Sequence, residues 1–215
     1  MKAYFISGLG ADKRAFDKIV LPARFEQVHL EWIAPQATEC LTQYAKRFAQ
    51  QINGAEPFIL VGLSFGGMLA TEISKILPPQ QLVLISSASS RSELPLLYRI
   101  AGKLRLEKIL PYKRIIKKPG KIANWLFGPF DEHTQQLVHS YIKATEPQFM
   151  QWAIGQISRW KNKEKPANLL QIHGSEDKLL WAGYSKAGFV MSGGGHLCLQ
   201  SHAAVINQLL KNQLV

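Results

Sequence analysis

Ser64 stands two residues from a glycine on either side, within the stretch LVGLSFGGMLA at residues 60–70. A serine hydroxyl is a weak nucleophile until it is exposed, set beside a base and aimed at an electrophile. A sharp strand-to-helix turn gives that exposure, but it strains the serine backbone and crowds the residues two before and two after it. Gly62 and Gly66 remove the side chains that such crowding forbids, and Gly67 supports the same elbow. The helix beginning there would aim free backbone N–H groups, and its positive dipole end, at charge developing on a bound carbonyl oxygen. Phosphate binding fits poorly, because no GK[ST] follows the glycines and Gly8-Leu9-Gly10 lacks the third glycine of a dinucleotide-binding turn. The competing bland reading is a tight turn with glycines for packing and an incidental serine.

The elements around this motif decide between the two. Lys2 to Ser7 is a short apolar run of β-formers ending in a glycine turn, and Ala11 to Val20 carries a short helical pattern. Gln27 to Ile33 alternates as a second strand. Thr38 to Ile52 places Leu41, Tyr44, Ala45, Phe48 and Ile52 on one helix face, with Thr38 as its expected N-cap. Pro57 to Leu63 is continuously apolar, as in a strand buried on both faces; a helix from about Phe65 to Leu77 follows, and Pro78-Pro79 stops it. Leu82 to Ile85 is the next such strand. This alternation implies right-handed crossovers and a doubly wound, mostly parallel α/β sheet, with Ser64 at the carboxyl end of a strand. From residue 90 to 150 only helical patterns punctuated by Pro and Gly appear, which reads as an insertion dividing a core of residues 1–89 and 151–215. A helix from Gln148 to Trp160, strands at Asn168 to Ile172 and Ala187 to Met191, and a helix from Ala203 to Leu214 complete the pattern.

With the motif in that context, the chain resembles the α/β-hydrolase family over nearly its whole length. The family's chain order of nucleophile, acid and histidine implies Asp177, in LLQIHGSEDKL, and His196, in FVMSGGGHLCL, as partners of Ser64. His196 would take the Ser64 proton and return it to the leaving group, while Asp177 would fix the imidazole tautomer. The resemblance also implies an oxyanion hole from the backbone N–H groups of Phe65 and Leu9, and calls for no metal or organic cofactor. Three departures stand out. Ser7-Gly8 replaces the family's frequent His-Gly at the oxyanion loop, and the chain begins on the strand feeding that loop, so a reduced sheet of about six strands is expected. Asp177 and His196 lie only nineteen positions apart, so either the intervening helix shrinks to a turn near Leu180 to Ser185 or Glu176 is the acid. The insertion falls where the family carries a helical lid, and Leu94, Leu97, Ile100, Leu104, Trp125, Leu126, Phe127, Phe130, Leu137, Tyr141 and Phe149 are candidates for an apolar pocket or for ordinary lid core.

Composition narrows the setting. The chain has 215 residues, 47% hydrophobic and 19% charged, as expected of a globular unit with a sizeable core. Cys40 and Cys198 are isolated, which suggests neither a disulfide framework nor a zinc site and makes a reducing cytoplasm the default. No apolar run approaches the roughly eighteen residues of a membrane span, and no signal peptide is evident. The net charge is +11, and the segment from Arg91 to Lys121 holds ten basic residues against Glu93 and Glu107. This field suits an anionic substrate or carrier, such as coenzyme A, acyl carrier protein or an anionic lipid, or else a merely solvated surface; no nucleic acid partner is expected. The reading that follows is a serine hydrolase acting on a small-molecule ester or thioester through an acyl-enzyme. Acyltransferase, lyase or carbon–carbon hydrolase chemistry on the same residues, and a non-catalytic ligand-binding scaffold, are the alternatives.

Overall fold

In the computed structural model, which describes residues 1–214, the apolar runs pair into one six-stranded sheet. Its strands are β1 (Lys2–Ile6), β2 (Glu26–Leu30), β3 (Phe58–Leu63), β4 (Gln81–Ile85), β5 (Leu169–Gly174) and β6 (Phe189–Met191). Their order is β2-β1-β3-β4-β5-β6, and every neighbouring pair is parallel. Every residue of β3 is buried, which explains its continuous apolarity: helices cover both faces of the central strands. The chain moves outward from β1 to β2 and returns to β3 on β1's other side, so the strand order reverses between β1 and β3. Loops diverge at such a switch and leave a crevice at the strand carboxyl ends. The register sets Ile6 opposite Gly62, which brings Ser7 and Gly8 alongside Leu63 and Ser64.

One face of the sheet is covered by α1 (Leu41–Phe48) and α2 (Phe65–Ser74), with Tyr44, Phe48, Met68, Leu69 and Ile73 all buried against Tyr4, Ile6, Leu60 and Leu82. The helix expected from Thr38 starts later. Thr38 lies in the left-handed region at φ 64° and bonds its own neighbour's carbonyl, so it caps nothing. Cys40 is the N-cap, and Gln156, from a helix distant in sequence, accepts the Leu41 N–H at 2.9 Å. Gln43 Oε1 accepts the Cys40 N–H at 2.9 Å, so the helix start is held by one local and one tertiary partner.

Between β4 and β5 run α3 (Leu96–Lys103), α4 (Tyr112–Lys117), α5 (Lys121–Phe127), α6 (Glu132–Ala144) and α7 (Pro147–Ser158). Leu137, Val138 and Tyr141 of α6 join the core on the sheet's second face, with Phe5, Val61, Val83 and Ile172. The chain closes with α8 (Cys198–Ser201) and α9 (Ala203–Gln213), whose Ile206 and Leu210 complete that face. Tyr112 and Ile116 of α4 pack on Met150 of α7. Of the pocket candidates, Leu97, Ile100, Leu104 and Trp125 instead point to solvent, whereas Leu94 is fully buried in the α1/α2 core. On α3 the buried position is instead Gly102, which lies so close to Ser158 that a Cβ would sit 2.5 Å from its carbonyl oxygen.

Candidate active site

The β3-to-α2 turn holds Ser64 at φ 52° and ψ −122°, a conformation L-residues avoid and persist in only where the surroundings impose it. Those surroundings are backbone. A Cβ on Gly62 would meet the Gly67 Cα at 2.4 Å, and one on Gly66 would meet the Ser7 carbonyl oxygen at 2.2 Å. The two glycines therefore admit different contacts: Gly62 lets the turn close on itself, and Gly66 lets it close on the end of β1. Gly67 is pressed instead by Ser87. Ser87 Oγ donates to the Ser64 carbonyl at 2.7 Å, and Ser64 N–H donates to Ile85 at 3.0 Å, so β4 pins the elbow from the side.

His196 comes from the loop after β6. Its ring is buried, with Nε2 2.8 Å from Ser64 Oγ and Nδ1 2.8 Å from Asp177 Oδ2. A carboxylate can only accept, so Nδ1 carries the proton and Nε2 is free to accept one from the serine. The GGGH run has a steric cause. A Cβ on Gly174 would strike the carbonyl oxygens of Gly194 and Gly195, and one on Gly195 would strike that of Gly128. The segment between β4 and β5 thus seats the histidine loop directly: His196 N–H donates to the Phe127 carbonyl at 3.2 Å, and the Phe127 ring meets the imidazole edge to face.

Asp177 is buried just past β5, and Oδ1 accepts the Leu179 and Leu180 N–H groups at 2.9 Å each. Burial pushes its carboxyl up, but His196 and His173 outweigh that and hold it below the usual carboxylate range. Glu176, the other acid considered, is exposed. The short connection to β6 holds no α-helix, only turns, the last of them Ala182–Tyr184. Tyr98 of α3 donates to the Leu179 carbonyl at 2.7 Å, tying the insertion to the acid loop as well.

Two neighbours of the site lie outside the expected set. His173 is buried with Nε2 2.7 Å from the Leu180 carbonyl and 3.1 Å from Asp177 Oδ2. Both are acceptors, so its proton lies on Nε2, and the same carboxylate oxygen faces two imidazoles. The sequence signal was its place four residues before the aspartate, at the end of the same strand. Trp32 steadies the loop after β1: its Nε1–H donates to Ser7 Oγ at 3.0 Å, and Ser7 Oγ donates to the Ala11 carbonyl at 2.6 Å. Its indole also stacks on Phe65 at 5.5 Å. Ser7 therefore anchors the loop through its own hydroxyl. Gly8 lies against Ser64, where a Cβ would be 3.5 Å from the serine Cβ, and neither Leu9 N–H nor Phe65 N–H has an acceptor among the described residues. Burial pushes the nearby Cys198 thiol up to about 11, which leaves it unreactive. Among the described residues no three His, Cys, Asp or Glu side chains converge as metal donors.

Comparison with known proteins follows the geometry. Residues 4–209 match the family described as the alpha/beta hydrolase family. Solved structures share the fold at low identity. A bromoperoxidase from Bacillus anthracis superposes with TM-score 0.71 at 14% identity, covering 99% of this chain and 91% of that one. MenH from S. aureus gives 0.69 at 15% identity, covering 100% and 93%. A thermophilic esterase from Thermogutta terrifontis gives 0.67 at 13% identity, covering 100% and 89%. No curated protein sequence matches. On the match spanning residues 4–209, the chain belongs to the alpha/beta hydrolase family.

Proposed function

We propose that the protein is a serine hydrolase that cleaves a small-molecule ester or thioester through an acyl-enzyme on Ser64. One observation carries the reading: an unbroken line from Ser64 Oγ through both ring nitrogens of His196 to Asp177, with each contact at 2.8 Å. Ser64 Oγ attacks the carbonyl carbon as its proton passes to His196 Nε2, and the imidazolium formed lies against the ionised Asp177. The oxyanion is received by the Leu9 and Phe65 N–H groups, each worth about 3 kcal/mol in the transition state. The imidazolium then protonates the departing alkoxide or thiolate. Water repeats the cycle on the acyl-enzyme and releases the acid.

The aromatic groups beside the elbow favour an apolar acyl or alcohol portion. Trp32 and Phe149, both partly exposed, meet at 5.4 Å, and Trp32 stacks on Phe65. Structural neighbours described as thermophilic esterases act on the bond class proposed here. The test is turnover of p-nitrophenyl esters of increasing chain length beside coenzyme A and acyl-carrier thioesters. Hydrolysis of at least one series, lost about 10⁴-fold or more in Ser64→Ala, is expected. Turnover that survives Ser64→Ala, or none on any member by folded protein, would overturn the proposal.

A further inference from the structure

The outer surface of the insertion is built unlike the rest of the molecule. Of the sixteen large apolar side chains exposed in the described chain, ten lie between Leu96 and Trp125, a concentration in one segment well beyond the normal scatter. Leu97, Leu104, Ile109 and Ile122 are each at least 66% exposed. The same thirty residues carry nine Lys and Arg against one acid, Glu107, and that carboxylate is buried and paired with Arg159. The exposed part of the segment therefore has cations and aliphatics and no exposed carboxylate.

The inner side accounts for this division. Gly102, Glu107, Tyr112 and Ile116 are the buried positions of α3, α4 and the turn between them, and they lie against α7 and its end through Ser158, Arg159 and Met150. Tyr98 turns to the Leu179 carbonyl, and the large aliphatic side chains of α3, α4 and the turn between them other than Ile116 are left exposed. Short helices with apolar and basic side chains interleaved fit the boundary between lipid headgroups and acyl chains, where aliphatics enter the apolar side and lysine stems reach back to phosphates. A second copy of the chain fits poorly, because two faces of the same strong positive sign would oppose each other. An acidic protein would satisfy the cations but leave a broad set of aliphatics unpartnered.

We infer that this face docks the protein peripherally on an anionic lipid bilayer, independently of the chemistry at Ser64. The full-length protein should sediment with vesicles of phosphatidylcholine containing about a third phosphatidylglycerol, and not with phosphatidylcholine alone. Each cation near such a surface contributes about five-fold, so changing Lys103, Lys108, Lys113 and Lys117 to Gln together should weaken binding more than about a hundred-fold. Changing Leu97, Ile109 and Ile122 to Ser should weaken it at least about ten-fold with every cation retained. Both variants alter exposed side chains, so unchanged thermal melts should accompany these losses. As a second readout, Trp125 emission should shift to the blue on adding anionic vesicles, with that part of the shift missing in Trp125→Phe. Ser64→Ala should bind vesicles like the wild type, which separates this outcome from the hydrolase proposal. Failure to bind anionic vesicles would overturn the inference. So would binding that the lysine changes abolish and the apolar changes leave untouched, the result expected of a face made for an acidic protein.

Discussion

Replacing Asp177 by Asn perturbs the account at its most constrained point. The carboxylate receives four donors: Leu179 and Leu180 N–H on Oδ1, and the His196 and His173 rings on Oδ2. An amide cannot meet that set in either orientation. With its NH₂ toward the backbone, two N–H groups face a donor, and leaving buried donors unpaired costs about 1–3 kcal/mol. With its NH₂ toward the rings, His196 must shift its proton from Nδ1 to Nε2. The nitrogen facing Ser64 at 2.8 Å then holds a proton and cannot take another. The base is lost although no atom has moved far. A wrong-tautomer triad of this kind loses about 10⁴ in kcat, equivalent to about 5 kcal/mol of barrier. Steady-state kinetics on the best p-nitrophenyl ester would read kcat, with a thermal melt to show that the variant folds. A folded Asp177→Asn variant within ten-fold of wild-type kcat would refute the reasoning, and loss on Glu176→Gln instead would move the acid to its neighbour.

Asp177 also gives a pH signature. Its carboxyl is depressed in the folded state, so its contribution to stability is present above the ordinary value of 3.8 and is lost as pH falls through the folded value. Denaturation of wild type and Asp177→Asn should therefore show a constant stability gap at neutral pH that narrows below about pH 4; a gap that widens there would contradict the assignment. Changing His173 to Leu removes a partner of Asp177 Oδ2 and brings the folded carboxyl closer to 3.8, so the acid-linked loss of stability should be smaller than in wild type and level off at a higher pH, with Gln, which retains an N–H donor, restoring part of the difference. A Gly66→Ala side chain would sit 2.2 Å from the Ser7 carbonyl oxygen and 2.5 Å from that of Ile6, contacts relieved only by moving β1 from the elbow. A loss of about 3 kcal/mol is expected in chemical denaturation, with activity falling further because the loop after β1, beside Ser64, moves too. Trp32→Phe keeps an aromatic surface for Phe65 but frees Ser7 Oγ, and kcat should drop about five-fold, as for one net hydrogen bond.

The parts of this molecule legible in its sequence are those whose physical requirements are local. Continuous burial made β3 and β4 readable, and the elbow was readable because a strained serine between close-packed backbones admits little but glycine. Other features depend on partners that sequence spacing does not reveal. α1 starts at Cys40 and draws its partners from Gln43 and from Gln156 of α7, so Thr38, though the right residue type, had no cap to make. β5 runs on to Gly174, past its last apolar residue, because that glycine pairs with Met191 of β6 and lies against the glycine run before His196. Trp32 matters through Ser7, which it meets across the fold, and shows no local pattern for it; His173 is marked only by its place four residues before Asp177. In the insertion the helical period was visible, but which stripe faced inward was decided by the close approach of Gly102 to Ser158, turning Leu97 and Leu104 outward.

The central claim is that Ser64 is activated by His196, and peptide mapping of the protein after reaction with a fluorophosphonate tests it most directly. The account predicts one adduct, on the peptide carrying Ser64, and its disappearance when His196 is changed to Ala in folded protein. An adduct on a different residue, or an adduct on Ser64 that forms equally well without the imidazole, would contradict it.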